Sequence, residues 1–379
     1  MRILHLSKFY PPDPGGLEQV VACLAAGAAE RGHQVRVVCA TGSAWAQDPG
    51  KHRTETLESG VVVARLPTHG ILWSQPIAPG YLRAARRQAD VVYVHRPNPL
   101  ADLAAALGPA RPLVIHHHSD VQRQRAMRWV YGPVARWVAR RAQAVVVATD
   151  SHLGHAEDIG SEARGSKVRI IPYGVDVARY RPGESPARPE FLPSPSSGAI
   201  GLFVGRLVSY KGLDVLLDAV TGTNLSLVIV GDGPLRATLE RQIAERRLGD
   251  RVVLAGRMSD EAMPGLYQAT DYFVLPSTTP AEMFGIVQLE AMACGRPVIS
   301  TALSTGVRNV NVPEVTGLVV PPGDSVALRG AMETLAGNAG LRARLGEAGR
   351  SRVLAQFTVQ QMIAAHLELC AELMPRSDS

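Results

Sequence analysis

Short, continuously apolar runs recur along the chain, and most are followed by a stretch with helical spacing. In the first half, "RILHLS" (2–7), "QVRVVCA" (34–40), "VVVARL" (61–66), "DVVYVH" (90–95), "LVIHHH" (113–118), "AVVVAT" (144–149) and "KVRIIP" (167–172) read as strands. They do not strictly alternate apolar and polar residues, which is the pattern of strands covered on both faces. Helices fit between them, for example at 16–31 and 121–142. The segment "RPGESPARPEFLPSPSSG" (181–198) has five prolines and no period, and reads as a linker. Alternation then restarts, with strands predicted at 199–204, 225–230, 251–256, 271–276 and 297–301. Helices are predicted from 212 and at 234–247, 259–269 and 284–294, with a terminal helical stretch at about 324–372. The pattern predicts an α/β protein of two doubly wound Rossmann-like domains, 1–180 and 199–357, with a helix at about 358–372 returning to the first. Ligands of such domains bind at the carboxyl ends of the strands, so a cleft between the two sheets is the expected site.

Composition adds little until charge is mapped. The 379 residues are 46% hydrophobic and 20% charged, ordinary for a globular protein. The net charge of +6 is uneven: residues 1–190 carry 24 Lys/Arg and 16 Asp/Glu, the remainder 16 and 18. A basic first half points to an anionic partner there. Nucleic acid is a poor fit, because no reading-helix motif accompanies the charge. Cys23, Cys39, Cys294 and Cys370 lie far apart without metal-type spacing, as expected of buried thiols in a reducing compartment. The opening "MRILHLSKFY" reads as a strand rather than a leader, and no apolar run reaches the ~18 residues of a membrane span. A cytoplasmic protein is expected, with peripheral contact at the inner face of a membrane as an option.

The chemistry concentrates in four places. In "PAEMFGIVQLEAMACG" (280–295), Glu282 follows a strand and Glu290 lies inside the next helix, expected to start near Phe284. The amides of Phe284, Gly285, Ile286 and Val287 would then form an anion site flanked by two carboxylates. Phosphate suits the amides and hydroxyls suit the carboxylates, so a ligand with hydroxyls at both ends and phosphate between, a nucleotide-sugar, fits. In "VGRLVSYKGLD" (204–214), Arg206 and Lys211 match a diphosphate. In "YPPDPGGLEQ" (10–19), Gly15 and Gly16 open a helix directly after the first strand, the phosphate position of Rossmann-like domains. In "VIHHHSD" (114–120), three histidines end a buried strand; only His116 and His118 share a face, so a three-histidine metal site from this run needs distortion. "VIVGDGPLR" (228–236) falls short of a dinucleotide fingerprint, since Arg236 stands where the third glycine belongs; Asp232 and Gly233 read as a tight turn lining the cleft.

Taken in order, the Gly15-Gly16 pair, the Arg206/Lys211 pair, the "GDGPLR" turn and the E-x7-E element from Glu282 to Glu290 resemble the retaining glycosyltransferases of family 4 (group 1), which have the GT-B fold; "VTGLVVPPGD" (315–324) matches as well. The resemblance covers nearly the whole chain. It implies that Glu282, Met283 and the Phe284–Val287 backbone hold the donor sugar and phosphate, and that Glu290 holds the ribose. Arg206 and Lys211 would neutralise the diphosphate, with Gly15 and Gly16 giving it close backbone approach and Arg257 and Met258 near the base. His118, just before Ser119 and Asp120, matches the sugar-contacting histidine, with His116 as a rival. The implied catalytic set is Glu282, His118, Asp120, Arg206 and Lys211, acting without a metal or other cofactor, in keeping with the lack of an Asp-x-Asp motif. "HHSD" followed by "VQRQR" resembles members that build bacterial surface polysaccharides, mannosyl- or rhamnosyl-type, which favours a GDP-mannose-like donor and a saccharide or lipid-linked saccharide acceptor. Residues 123–141 hold six arginines interleaved with Trp129 and Trp137, suited to an anionic membrane surface or a lipid diphosphate, although Pro133 is expected to interrupt that helix. A GT-B nucleotide-sugar epimerase and a non-catalytic nucleotide- or sugar-binding protein are the alternatives; assaying transfer, isomerisation and binding separates the three.

Overall fold

The computed structural model describes the chain except residues 14, 43–50, 73–74, 119–124, 157–158, 160–164, 184–188, 194–197 and 376–379, and the side chains of 125–130. The chain forms two compact units, Met1–Tyr173 with Gln360–Ser379, and Gly174–Val359. The crossing at 173/174 precedes the expected break at 180, and the proline-rich segment falls within the second unit.

In the first unit, strands β1 (Arg2–Leu6), β2 (Gln34–Ala40), β3 (Arg53–Thr56), β4 (Val62–Leu66), β5 (Ile71–Leu72), β6 (Gln75–Pro76), β7 (Val91–Arg96), β8 (Leu113–His117), β9 (Ala144–Val147) and β10 (Val168–Ile170) alternate with helices. Eight of them form one sheet in the order β10-β9-β8-β7-β1-β2-β4-β3, while β5 and β6 make a separate hairpin. Pairing is parallel except at the edge, where β3 runs antiparallel to β4. β3 is exposed along its length and carries no apolar run, so nothing in its pattern marks it as a strand. Helix Arg125–Arg141 runs through Pro133 rather than stopping there. Proline removes one amide and crowds one carbonyl, and helix packing offsets that. The C-terminal helix Val359–Leu373 lies against helix Gly16–Glu30, so closely that a Cβ on Gly27 would meet Ile363 Cδ1 at 2.2 Å.

The second unit continues with β11 (Ile200–Val204), β12 (Ser226–Val230), β13 (Val252–Gly256), β14 (Tyr272–Leu275), β15 (Val298–Thr301) and β16 (Gly317–Val320). The sheet is wholly parallel in the order β13-β12-β11-β14-β15-β16. Both faces are covered, with Leu202, Leu227, Ile229, Val274 and Ile299 fully buried together with the aromatic rings of Phe203, Tyr272 and Phe273. Chain order reverses between β11 and β14, which makes their carboxyl ends the switch point of the sheet. Open α/β sheets bind their ligands at such a switch point. Among the described residues, no helix is long and apolar enough to cross a membrane.

Candidate active site

The loop after β11 and the loop after β14 meet at this switch point. After β11 the chain passes Arg206, makes a 3-10 turn over Ser209–Lys211, and turns into helix Leu213–Val220 through Gly212. Gly212 has φ 67°, and a Cβ there would lie 2.1 Å from the Pro276 carbonyl. The Thr278 amide donates to the Tyr210 carbonyl at 2.8 Å. These contacts fix Lys211 opposite the loop that carries Glu282. The Lys211 ammonium forms a buried ion pair with the Glu282 carboxylate, which also accepts from Ser277 Oγ at 2.9 Å. Burial alone would lower the Lys211 pKa, but the facing carboxylate and Tyr210 outweigh it and hold the ammonium above its ordinary value. The backbone of the Glu282 loop is pinned as well: Thr305 Oγ1 donates to the Glu282 carbonyl at 2.7 Å, and the Gly306 amide to that of Met283 at 2.8 Å.

The helix carrying Glu290 starts later than expected, at Val287 instead of near Phe284. Gly285 has φ 71°, a left-handed conformation that breaks the helical run, and a Cβ there would meet Leu275 Cδ2 at 2.7 Å. The Gln288 and Leu289 amides donate back to the Gly285 and Ile286 carbonyls at 2.9 and 2.8 Å. The amides of Gly285, Ile286 and Val287 donate to no acceptor among the described residues. They form a donor cluster between the two glutamates. Glu290 accepts from the Tyr267 hydroxyl at 2.7 Å, and Tyr180 packs edge-on against that ring. Burial raises the Glu290 pKa, and the Tyr267 hydrogen bond counters only part of the rise.

Arg206 is exposed and its side chain has no partner among the described residues. The "GDG" turn packs directly on the Arg206 loop. The Leu207 amide donates to the Asp232 carbonyl at 2.9 Å, and added Cβ atoms on Gly231 and Gly233 would lie 1.9 Å from the Gly205 carbonyl oxygen and 2.5 Å from that of Leu207. Asp232 is exposed, with its carboxylate on the Gly233 amide at 2.8 Å. Arg257 and Met258 follow β13, exposed and half-buried respectively.

On the first unit, exposed Gly15 and Gly16 open helix Gly16–Glu30. Glu18 folds back so that its carboxylate lies over Gly15, where a Cβ would meet Glu18 Oε2 at 1.9 Å. A carboxylate of the chain itself therefore stands at this helix start, its pKa raised by burial. The histidine run splits as alternation requires. His117 faces one side of the sheet, with its Nδ1 3.3 Å from His152 Nε2. His116 and His118 face the other, where His5 and His95 join them. Both ring nitrogens of His118 are engaged, Nε2 3.0 Å from His95 Nδ1 and Nδ1 2.7 Å from the Tyr173 hydroxyl. Asp120 lies outside the described residues. Sequence reading missed Ser277, Tyr267, Tyr173 and His95: each lies in or next to a strand or helix as an ordinary polar residue, and only the fold brings it to its partner.

Two Rossmann-like sheets in one chain, with a cation, carboxylates and free amides at the switch point of the second, define a GT-B glycosyltransferase. The family model "Glycosyltransferase Family 4" matches residues 14–179, and "Glycosyl transferases group 1" matches residues 185–352. The chain belongs to this family. It is 31% identical to the O-antigen chain mannosyltransferase C of Escherichia coli, over 99% of each chain. It is 35% identical to the D-rhamnosyltransferase WbpZ of Pseudomonas aeruginosa, over 88% of this chain and 86% of that one. Among solved structures, sucrose-phosphate synthase from Thermosynechococcus elongatus superposes with TM-score 0.84 at 24% identity, covering 98% of each chain. Anabaena HepE in complex with UDP and glucose gives 0.80 at 24%, covering 98% of this chain and all of that one.

Proposed function

We propose that the protein is a retaining, metal-independent hexosyltransferase that takes its sugar from a nucleoside-diphosphate sugar, GDP-mannose-like, and passes it to a saccharide or lipid-linked saccharide in bacterial surface-polysaccharide synthesis. The observation that carries the reading is the arrangement between β11 and β14: a buried Lys211–Glu282 pair, three free amides at Gly285–Val287 and a shielded Glu290, in that order along one short path. The diphosphate would take the amides, Lys211 and Arg206. Ribose hydroxyls would go to Glu290, and sugar hydroxyls to Glu282. The roles of Gly15, Gly16, His118 and Asp120 stay those the family resemblance implies. The donor and acceptor classes rest on the printed activities of the mannosyl- and rhamnosyltransferase relatives.

Departure of the diphosphate builds negative charge as the anomeric carbon becomes oxocarbenium-like. Donors already in place meet that charge without reorganising, each worth about 3–4 kcal/mol in comparable sites. Lys211 pairs with Glu282 in this structure, so an arriving diphosphate has to draw the ammonium partly from that carboxylate and free Glu282 for sugar hydroxyls. This exchange couples donor binding to assembly of the sugar end.

A thermal-shift screen with GDP, UDP, ADP and dTDP tests the donor class. A ligand at 100 times its dissociation constant stabilises by about 2.7 kcal/mol, so the matching diphosphate should stand clear of the others. Incubating that nucleotide's labelled mannose or rhamnose sugar with a bacterial glycolipid extract then tests transfer. Isomerised donor with no glycosylated product would favour the epimerase alternative, and binding without turnover the non-catalytic one.

A further inference from the structure

Glu290 stands half-buried on the first turn of helix Val287–Ala293. Among the described residues only one of its oxygens is held. Oε2 accepts from the Tyr267 hydroxyl at 2.7 Å, and Oε1 has no described partner. A carboxylate accepts several hydrogen bonds, so the Oε1 side is left open to a ligand that donates. A glutamate side chain fixed before the ligand arrives gives up less rotamer freedom on binding, which favours affinity.

Tyr267 is well placed to do that fixing. It lies on helix Met263–Ala269, which leads into β14, and is wholly buried. Its ring packs against Phe273 on β14, with centroids 6.0 Å apart, and edge-on against Tyr180 at 5.9 Å. Thr270 Oγ1 donates to its backbone carbonyl at 3.3 Å. These contacts use the ring and the backbone, and a phenylalanine would make them equally well. The hydroxyl goes elsewhere: besides Glu290, its described neighbour is the Val287 carbonyl at 3.4 Å, on the same helix turn. A buried hydroxyl is costly without a partner, which ties this one to the carboxylate it meets. Burial and the adjacent Glu290 charge push the phenol well above its ordinary pKa, so it stays protonated and remains a donor.

We propose that Tyr267 is a positioning residue for the donor nucleotide: its hydroxyl fixes Glu290 Oε2 so that Oε1 is presented to the ribose hydroxyls. The phenol itself touches no part of the ligand. This role rests on Glu290 being the ribose carboxylate. Of the other groups facing Glu290, Arg179 favours its ionised form and Asp260 opposes it, while burial keeps Tyr180 and Cys294 protonated. The Tyr267 hydrogen bond does most to favour the ionised form.

Calorimetric titration of the full chain tests this. It uses whichever of GDP, UDP, ADP and dTDP binds most tightly, together with its 2′,3′-dideoxy counterpart, which offers Glu290 no hydroxyl. Tyr267→Phe should weaken the ordinary diphosphate about tenfold and leave the dideoxy ligand unchanged. It should also shift the loss of affinity at low pH to higher pH, because the Glu290 carboxyl loses the bond that favours its ionised form. In a Glu290→Gln background, Tyr267→Phe should cost little further. That comparison still decides the matter if the single variant, with its carboxylate left without a donor, does not fold. Unchanged affinity in Tyr267→Phe beside a clear loss in Glu290→Gln would overturn the role of Tyr267. Equal weakening of the ordinary and dideoxy ligands would overturn it too, since a merely structural hydroxyl affects both. No effect of Glu290→Gln would overturn the ribose assignment itself.

Discussion

Lys211 and Glu282 show how far residue identity carries. Both were legible from spacing alone, one as a cation after a strand and the other as a carboxylate before a helix. Their ion pair was not, because it depends on two loops 71 residues apart meeting at the switch point. Lys211→Ala should lower turnover by roughly 10²-fold, if one charge donor is worth about 3 kcal/mol. Steady-state kinetics on the folded variant checks this, and unchanged turnover would remove Lys211 from the site. Because the folded pKa of Lys211 is raised, its contribution to stability is fully present below the ordinary lysine value and is lost only as pH climbs through the raised one. Glu290 has the opposite linkage. Its folded pKa is raised by burial, so ionising it costs stability as pH rises out of the ordinary carboxylate range. Ribose hydroxyls that donate to the carboxylate favour the ionised form. Diphosphate affinity should therefore fall as pH drops through the raised Glu290 pKa, and Glu290→Gln should flatten that dependence. Calorimetric titrations across pH measure both.

Among elements, the buried parallel strands were the most readable, since each is a run of apolar residues with no solvent face to interrupt it. The edge was not: β3 is fully exposed, and β16 lay in a stretch noted only for its match to the family. The start of the Glu290 helix was misplaced because a left-handed Gly285 followed by a turn has no signature beyond the glycine itself. The "GDG" turn is a further case. It read as a tight turn, whereas its glycines are needed because two loop backbones touch. Gly231, at φ 136°, leaves no room for a side chain against the Gly205 carbonyl. Gly231→Ala should lower stability by about 1–3 kcal/mol and displace Arg206, weakening diphosphate binding. Denaturant unfolding and a binding titration on the same sample report the two effects; a variant as stable as wild type would show that the loops tolerate separation.

At the scale of the whole molecule, the charge bias toward the first half pointed to an anionic partner on that side. Residues 123–141 were the expected surface; the side chains of 123–130 lie outside the described ones, and among the described residues of the first unit exposed apolar side chains also occur elsewhere. Ile71 (62% exposed), Leu72 (52%), Leu82 (41%) and Leu107 (59%) stand out, with Leu82 and Leu107 lining a groove alongside Arg83 and Arg86. Apolar side chains rimmed by exposed arginines suit an anionic bilayer surface, where each cation is worth about 1 kcal/mol. The protein should sediment with vesicles containing phosphatidylglycerol and not with neutral phosphatidylcholine vesicles. Leu72→Glu combined with Leu82→Glu should release it at unchanged stability. Equal sedimentation with both vesicle types, or no effect of the substitutions, would place the acceptor contact elsewhere.

The central claim is that Glu282 and Glu290 serve opposite ends of one donor, with the diphosphate between them. Calorimetric titration of Glu282→Gln and Glu290→Gln with the matching nucleoside diphosphate tests it most directly, because that ligand carries a ribose and phosphates but no transferred sugar. Glu290→Gln should weaken binding clearly. Glu282→Gln should leave affinity unchanged or tighten it, since neutralising that carboxylate frees Lys211 for phosphate, while transfer from the nucleotide-sugar falls. Equal loss of diphosphate affinity in both variants would contradict the assignment.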